Sequence, residues 1–334
     1  MVVTRPWRLP RSTEVREVRR GRYGRTVLAR LDGEAGEVGE VGKVGKVGDL
    51  VAVRYIPAGL LIHRPRAEAF WADVARLTGL EAPEAVPFRQ YVHAPGFTAA
   101  YARSAGAVEA VGGALVSDAV EGVTLSRVLD RYGALPPPAA LLVVHRALRA
   151  LAAAHGRAVV HGDLRPAKVL IDADGVPAVT GLGLAALTTG AAGLRAPELW
   201  RGGGAATPGG DVYGTACVLH LCLTGELPIP VRQLFSLMAR HTTAPVPMEA
   251  VPGPLRAPLA AGLTKDPALR PGAEALLAHL ERTARTALGR DWEERGGSAL
   301  RTLAAPLTEA LPLTSPSAED RPLADSSHEG VLMM

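Results

Sequence analysis

An α+β chain folded as two lobes, with a small strand-rich front and a larger helical back, is the fold class that this sequence predicts. Three observations predict it. Up to about residue 120, short apolar runs at strand length alternate with Gly and with charged residues. From residue 136 the apolar residues recur at helical spacing instead. The chain has 334 residues and is 48% hydrophobic, enough for a sizeable core divided between two bodies.

The elements follow in order. Residues 1–13, rich in Pro and Arg, form an arm expected to stay flexible and solvated. Residues 14–30, "EVREVRRGRYGRTVLAR", suit two strands around a glycine-containing turn. Residues 33–49, "GEAGEVGEVGKVGKVGD", place Gly at every third position, a period that fits neither strand nor helix and is too short for a triple helix. They are expected to be a flexible insert between two strands. "DLVAVRYI", 49–56, is a buried strand. "PRAEAFWADVARLTGL", 65–80, is a helix with Phe70, Val74 and Leu77 on one face. Residues 86–120 suit two or three further strands. "PPPAALLVVHRALRALAAAHG" opens on Pro and closes on Gly, as a helix should. Further helices are expected at about 211–224, 230–240, 256–264, 272–288 and 291–305. The Pro/Ser/Asp-rich segment from 311 to 334 has the composition of a disordered tail.

Composition excludes several classes of function. Net charge is only +4, so the basic balance alone does not argue for nucleic acid, and no such partner is expected. No apolar run approaches ~18 residues, so no membrane span is expected, and the N-terminus lacks the apolar core of a signal peptide. The two cysteines, Cys217 and Cys222, lie five apart in one apolar stretch, where their side chains would diverge on a helix. They are expected to be reduced core thiols, which suits a cytoplasmic protein. The nine histidines show no metal-ligand spacing. Trp292 is expected to pin a helical extension, residues 289–310, to the large lobe.

Four fragments then carry chemistry: "VHGDLRPAKVLID", "GAAGLRAPE" at 190–198, "GGDVYGTACVLHLCLTGELP" and "LTKDPALRPGAEALLAHL". In this order and spacing the chain resembles the bacterial-type Ser/Thr protein kinase family over roughly residues 14–288. The resemblance implies a bilobal kinase-like fold, with an N-lobe over 14–120 and a C-lobe over 121–288. It puts Asp163 at the position of the catalytic aspartate, which orients or deprotonates the substrate hydroxyl. Arg165 and Lys168 stand beside it in the catalytic loop. Asp211 would be the buried anchor of a long central helix, and Glu198 would pair with Arg270. For the nucleotide, the resemblance implies a glycine loop at Gly21 and Gly24. It implies an adenine sandwich between Ala52 and Leu170, and a hinge near Asp118 and Val120. His161, Leu182 and Leu77 would stack into one column between the lobes.

The departures from the family pattern are chemically pointed. The phosphate-gripping lysine is Arg54, and its glutamate partner is Asp73, a charge-preserving swap expected to form an Arg–Asp pair. The two positions that hold magnesium in the family are Lys168 and Gly181. A protonated lysine cannot ligate a cation, and glycine has no ligand atom. Losing about 4 kcal/mol of metal stabilisation slows transfer about a thousandfold. Gly162 replaces the loop arginine that meets an activation-segment phosphate, and Ala191 replaces a threonine near the segment end. Thr188 and Thr189 are taken as ordinary loop threonines. The pattern implies a pseudokinase: a binding or scaffolding module for a protein partner, with weak, magnesium-independent ATP binding. Lys168 would then pair with Asp163 or with a nucleotide phosphate. A divergent active Ser/Thr kinase is the alternative. A small-molecule phosphotransferase of the aminoglycoside or choline type is the second, because "HGDL" is close to that family's loop.

Overall fold

The computed structural model describes residues 7–32, 48–95, 111–188, 192–200, 205–229 and 244–309. Most of the Gly-triplet insert, the expected helix at 230–240, Thr189, Ala191 and the tail from 311 lie outside the described residues.

The front of the chain is a five-stranded antiparallel sheet in the order β1-β2-β3-β5-β4. Its strands are β1 (Ser12–Gly21), β2 (Gly24–Leu31), β3 (Leu50–Pro57), β4 (Phe88–His93) and β5 (Val111–Asp118). β1 is an edge strand with five charged residues and two irregularities in its register, features that discourage pairing with another chain. One face of β2, β3 and β5 is aliphatic and forms a small core around Val27, Val51, Val53 and Val116.

The predicted arm is not free over its second half. Leu9 is buried, its amide donates to the Tyr55 hydroxyl at 3.1 Å, and Trp7 meets the Tyr55 ring edge-on. Ser12 and Thr13 already belong to β1. Glu14 explains the docking: it accepts a bidentate pair from Arg25 at 2.7 and 2.9 Å and the Tyr55 hydroxyl at 2.9 Å. One carboxylate thus ties β1, β2 and β3 together and leaves an apolar ledge for Trp7 and Leu9. Composition alone hid this, because the two apolar residues are scattered among Arg and Pro.

Helix α1 (Arg64–Leu77) lies between the sheet and the second body. Phe70 is buried and meets Tyr91 edge-on, while Leu77 joins Val159 and Leu182 in a separate cluster. The second body contains a short sheet of β6 (Gly122–Thr124), β7 (Val169–Asp172) and β8 (Pro177–Val179). Its helices are α2 (Leu125–Tyr132), α3 (Pro137–Gly156), α4 (Pro208–Thr224), α5 (Arg256–Gly262), α6 (Ala273–Leu288) and α7 (Trp292–Glu309). α3 is the hub, packed on α4, α6 and α7 and apolar around most of its circumference. α4 begins at Thr207, whose side chain accepts from the Gly210 amide at 3.0 Å. It ends at Gly225, in the left-handed conformation that closes a helix. Trp292 is buried edge-on against His145 of α3, so the terminal helix is anchored to the body. Cys217 and Cys222 are buried and free, and burial pushes both thiols up to about 12.

Candidate functional site

The segment 161–168 leaves α3 and is held from below by Asp211, in the first turn of α4. The Asp211 carboxylate accepts from the His161 amide at 2.8 Å, the Gly162 amide at 2.8 Å and the His155 ring at 2.9 Å. Three donors and a helix N-terminus suit one buried carboxylate. Gly162 has φ 71°, and a Cβ there would come within about 3 Å of Ala206 and Ala185. Any side chain at this position would be strained and would press on Ala185 and Ala206. His161 is buried, with Nδ1 accepting from the Asp163 amide at 3.2 Å and Nε2 facing the Thr180 carbonyl at 3.1 Å. Those partners fix a neutral ring protonated on Nε2, and burial holds its pKa below the usual histidine range.

At the centre of the cleft the predicted residues come together, but with different partners. Asp163 accepts from Arg165 Nε at 3.2 Å, not from Lys168. Lys168 is 5% exposed, and its ammonium makes no hydrogen bond or ion pair among the described residues. A Cβ built on Gly181 would stand 2.9 Å from Lys168 Nζ, so the lysine fills the space that a side chain at 181 would need. Gly181 also has φ 92°, a conformation that side-chain-bearing residues rarely adopt. Burial first, then Arg54, Arg165 and Arg19, push Lys168 down to about 7, against the opposing pull of Asp163.

Arg54 does not form the expected pair with Asp73. Its Nη2 donates to the Tyr23 carbonyl at 3.2 Å, at the tip of the β1–β2 hairpin, and its Nε is buried without a partner. Asp73 instead accepts from Arg76 at 3.2 Å, one turn along α1, and burial raises its pKa. Aspartate is one methylene shorter than glutamate, so the nearest cation on its own helix wins. Burial and the charge of Arg19 push Arg54 down to about 10. Gly21 and Gly24 face each other across a two-residue turn, Arg22-Tyr23. Gly24 has φ 102° and lies against the Tyr55 carbonyl with no room for a Cβ, while nothing crowds Gly21. Arg19 was missed by sequence reasoning. The run "REVRR" gave a signal of charge, but not of which strand face would overhang the cleft.

The residues assigned to the adenine side occupy matching strand positions. Ala52 and Leu170 are half-buried between fully buried neighbours, Val51 and Val53 in β3 and Val169 and Ile171 in β7. Strand alternation therefore turns both away from their cores. Asp118 ends β5, with its amide donating to the Pro87 carbonyl at 3.0 Å and its carboxylate accepting from Arg89 at 2.5 Å. Val120 follows in the three-residue connection to β6. Leu77 and Leu182 meet in one cluster, as expected.

Far from the cleft, Arg270 and Glu198 form the predicted ion pair at 2.8 and 3.1 Å. The Arg270 side chain is 0% exposed, and it also donates to the Thr264 and Gly209 carbonyls.

A family model of the protein kinase domain matches residues 35–280. The chain belongs to the protein kinase domain family. Its relatives include the serine/threonine-protein kinase PknH of Mycobacterium bovis, 34% identical over 164 residues. That match covers 44% of this chain and 27% of the relative. PknE of Mycobacterium tuberculosis is 33% identical over 164 residues, covering 44% of this chain and 29% of the relative. PknD of the same species is 32% identical over 168 residues, covering 45% and 25%. The match thus spans about a quarter of the length of these curated relatives. The hairpin with Gly21 and Gly24 lies ahead of the matched residues. No helix among the described residues is long and apolar enough to cross a membrane.

Kinases of this family use ATP, normally with magnesium. The residues expected at the two ligand positions, Lys168 and Gly181, offer no side-chain oxygen to a cation, and the lysine nitrogen lies where a side chain at 181 would stand. The site therefore does not fit a magnesium ion held in the family's way.

Proposed function

We propose that this chain is a kinase-fold binding module in which ordinary magnesium-dependent phosphotransfer is impaired, and that it works through a protein partner. The observation that carries this reading is the packing of Lys168 against Gly181. Two substitutions that each remove a metal ligand also fit one another sterically, as a rebuilt site would. The half-buried Ala52 and Leu170 support a retained adenine slot, so weak nucleotide binding without magnesium belongs to the same reading.

Incubating the purified chain with radiolabelled ATP and magnesium tests the proposal, with a protein substrate, with the chain alone and with an amino-sugar. The expected result is no transfer above the Asp163→Asn variant. A second reading, a slow active Ser/Thr kinase, is favoured by Asp163 itself, which remains on a loop tied down by Asp211. Turnover at about 1–100 s⁻¹, abolished in Asp163→Asn, would establish that reading instead. Label on the amino-sugar alone would point to a small-molecule phosphotransferase.

A further inference from the structure

We infer that the phosphate end of this cleft is a site for a triphosphate without its metal, and that magnesium weakens binding there. The inference rests on the proposed loss of magnesium-dependent transfer and extends it to the ligand. Its geometric basis is three cations, Lys168, Arg54 and Arg165, with few partners among the described residues. Lys168 is almost fully buried, and its ammonium makes no hydrogen bond among the described residues. Arg54 has a buried Nε with no partner and a single hydrogen bond, to the Tyr23 carbonyl. Arg165 leans on Asp163, which leaves the rest of its guanidinium fork for another acceptor. Arg19, exposed on β1 and with partners of its own, adds positive potential that acts on both Lys168 and Arg54. Among the described residues, the carboxylate that acts on Lys168 is Asp163, while His161 behind it is neutral.

Buried cations with few partners are costly, and burial together with neighbouring guanidinium groups lowers the basicity of both Lys168 and Arg54. The missing component is a multivalent anion, whose oxygens would satisfy three donors at once: Arg54 on β3, Arg165, and Lys168 in the turn just before β7. A magnesium ion offers the opposite. It would bring two positive charges into a cluster already in excess, with no carboxylate at 168 or 181 to receive them. It would also halve the charge of the ligand, since ATP carries about four negative charges and its magnesium complex about two. Indifference to magnesium, the expectation from Lys168 alone, becomes antagonism once Arg54, Arg165 and Arg19 are placed around it.

The chemistry recognised is a run of linked phosphates, which a nucleoside triphosphate and inorganic tripolyphosphate share. Calorimetric titration of the full chain tests it with ATP, tripolyphosphate and adenosine, each in EDTA and in excess magnesium at constant ionic strength. ATP and tripolyphosphate should bind in EDTA, and magnesium should weaken both by about tenfold, or 1.4 kcal/mol. Tripolyphosphate matching ATP would identify an inorganic ligand, and ATP binding at least about tenfold tighter would identify a nucleotide. Lys168→Met and Arg165→Gln should each lower affinity about tenfold, as expected for loss of a charge-assisted contact. The second variant lies on the exposed side of the cleft, so it keeps the test decisive if the first disturbs the fold.

Tighter binding with magnesium, adenosine binding as well as ATP, or no anion binding in EDTA would overturn the inference. Its failure differs from failure of the functional proposal. Magnesium-dependent transfer of label would sink the proposal, whereas a chain inert in both assays would sink the inference alone.

Discussion

Two groups of buried charge in this molecule are built on opposite principles. Around α4 two buried charges are fully answered. Arg270 makes four hydrogen bonds to Glu198, Gly209 and Thr264, and Asp211 accepts from three donors. In the cleft, Lys168 has no hydrogen bond to its ammonium and Arg54 has an orphaned Nε. Both groups remove cations from water. Only the first recovers the cost within the fold. The difference separates buried charge that holds elements together from buried charge in the cleft that the fold leaves available to the proposed anion.

The largest effect should come from breaking the satisfied side. Arg270→Ala strands the Glu198 carboxylate and two carbonyls, and should cost about 3–5 kcal/mol in urea denaturation. Arg270→Lys should recover only part of this, because one ammonium cannot span the same acceptors. A loss below about 1 kcal/mol would mean that the pair is as dispensable as a surface salt bridge.

The unsatisfied side should respond with the opposite sign. Lys168→Met should raise stability by about 2–4 kcal/mol at pH 7 without ligand. The sign follows from the depressed pKa. Folding holds Lys168 at about 7, below its usual value of 10.5, so the unfolded chain binds the extra proton between those pH values. Stability contributed through this group should therefore rise with pH from about 7 to about 10.5. The advantage of Lys168→Met should be full below pH 7 and fade toward pH 10, as denaturation at several pH values would reveal. An advantage that does not vary with pH would show that Lys168 is not a strained cation.

A smaller effect tests the fit between the two departures. Gly181→Ala should cost about 1–2 kcal/mol, part from its φ of 92° and part from the 2.9 Å approach to Lys168 Nζ. In the Lys168→Met background the conformational part should remain while the charge-related part changes, giving a coupling of about 0.5 kcal/mol or more in a double-mutant cycle. Strict additivity would mean that the two substitutions are independent. Smallest of all should be Asp73→Ala, within about 0.5 kcal/mol, because its ion pair with Arg76 is local to α1. A loss of several kcal/mol would restore the Arg54–Asp73 pair as the resting arrangement.

Legibility in the sequence divided along the same line. Glu198 with Arg270, and the anchor Asp211, were readable because each belongs to a run of residues whose order and spacing are distinctive. Gly162 was readable as a departure, but not as a steric constraint, since Ala185 and Ala206 reach it only in the folded chain. The pairing of Arg54 was misread because sign of charge is written in the sequence and reach is not. One methylene decided that Asp73 would turn to Arg76. The folded-down segment 7–11 was missed because Trp7 and Leu9 make no periodic pattern; their ledge exists only once Tyr55 and Glu14 are in place.

The sequence by itself determined the kinase-type architecture, the division into a strand-rich and a helical lobe, and the chemical identity of the residues at the metal positions. These follow from local periodicity, from capping and turn residues, and from side-chain chemistry, all of which act over a few neighbouring positions. Only the tertiary structure decided which charges meet. Lys168 lies against Gly181, Arg165 rather than Lys168 takes Asp163, and Arg54 reaches the hairpin tip instead of α1. Those choices are set within a few ångströms by strand register and by burial, which multiplies the strength of every charge interaction as water is excluded. A linear chain carries the charges, but the distances and the dielectric that give them meaning exist only after folding.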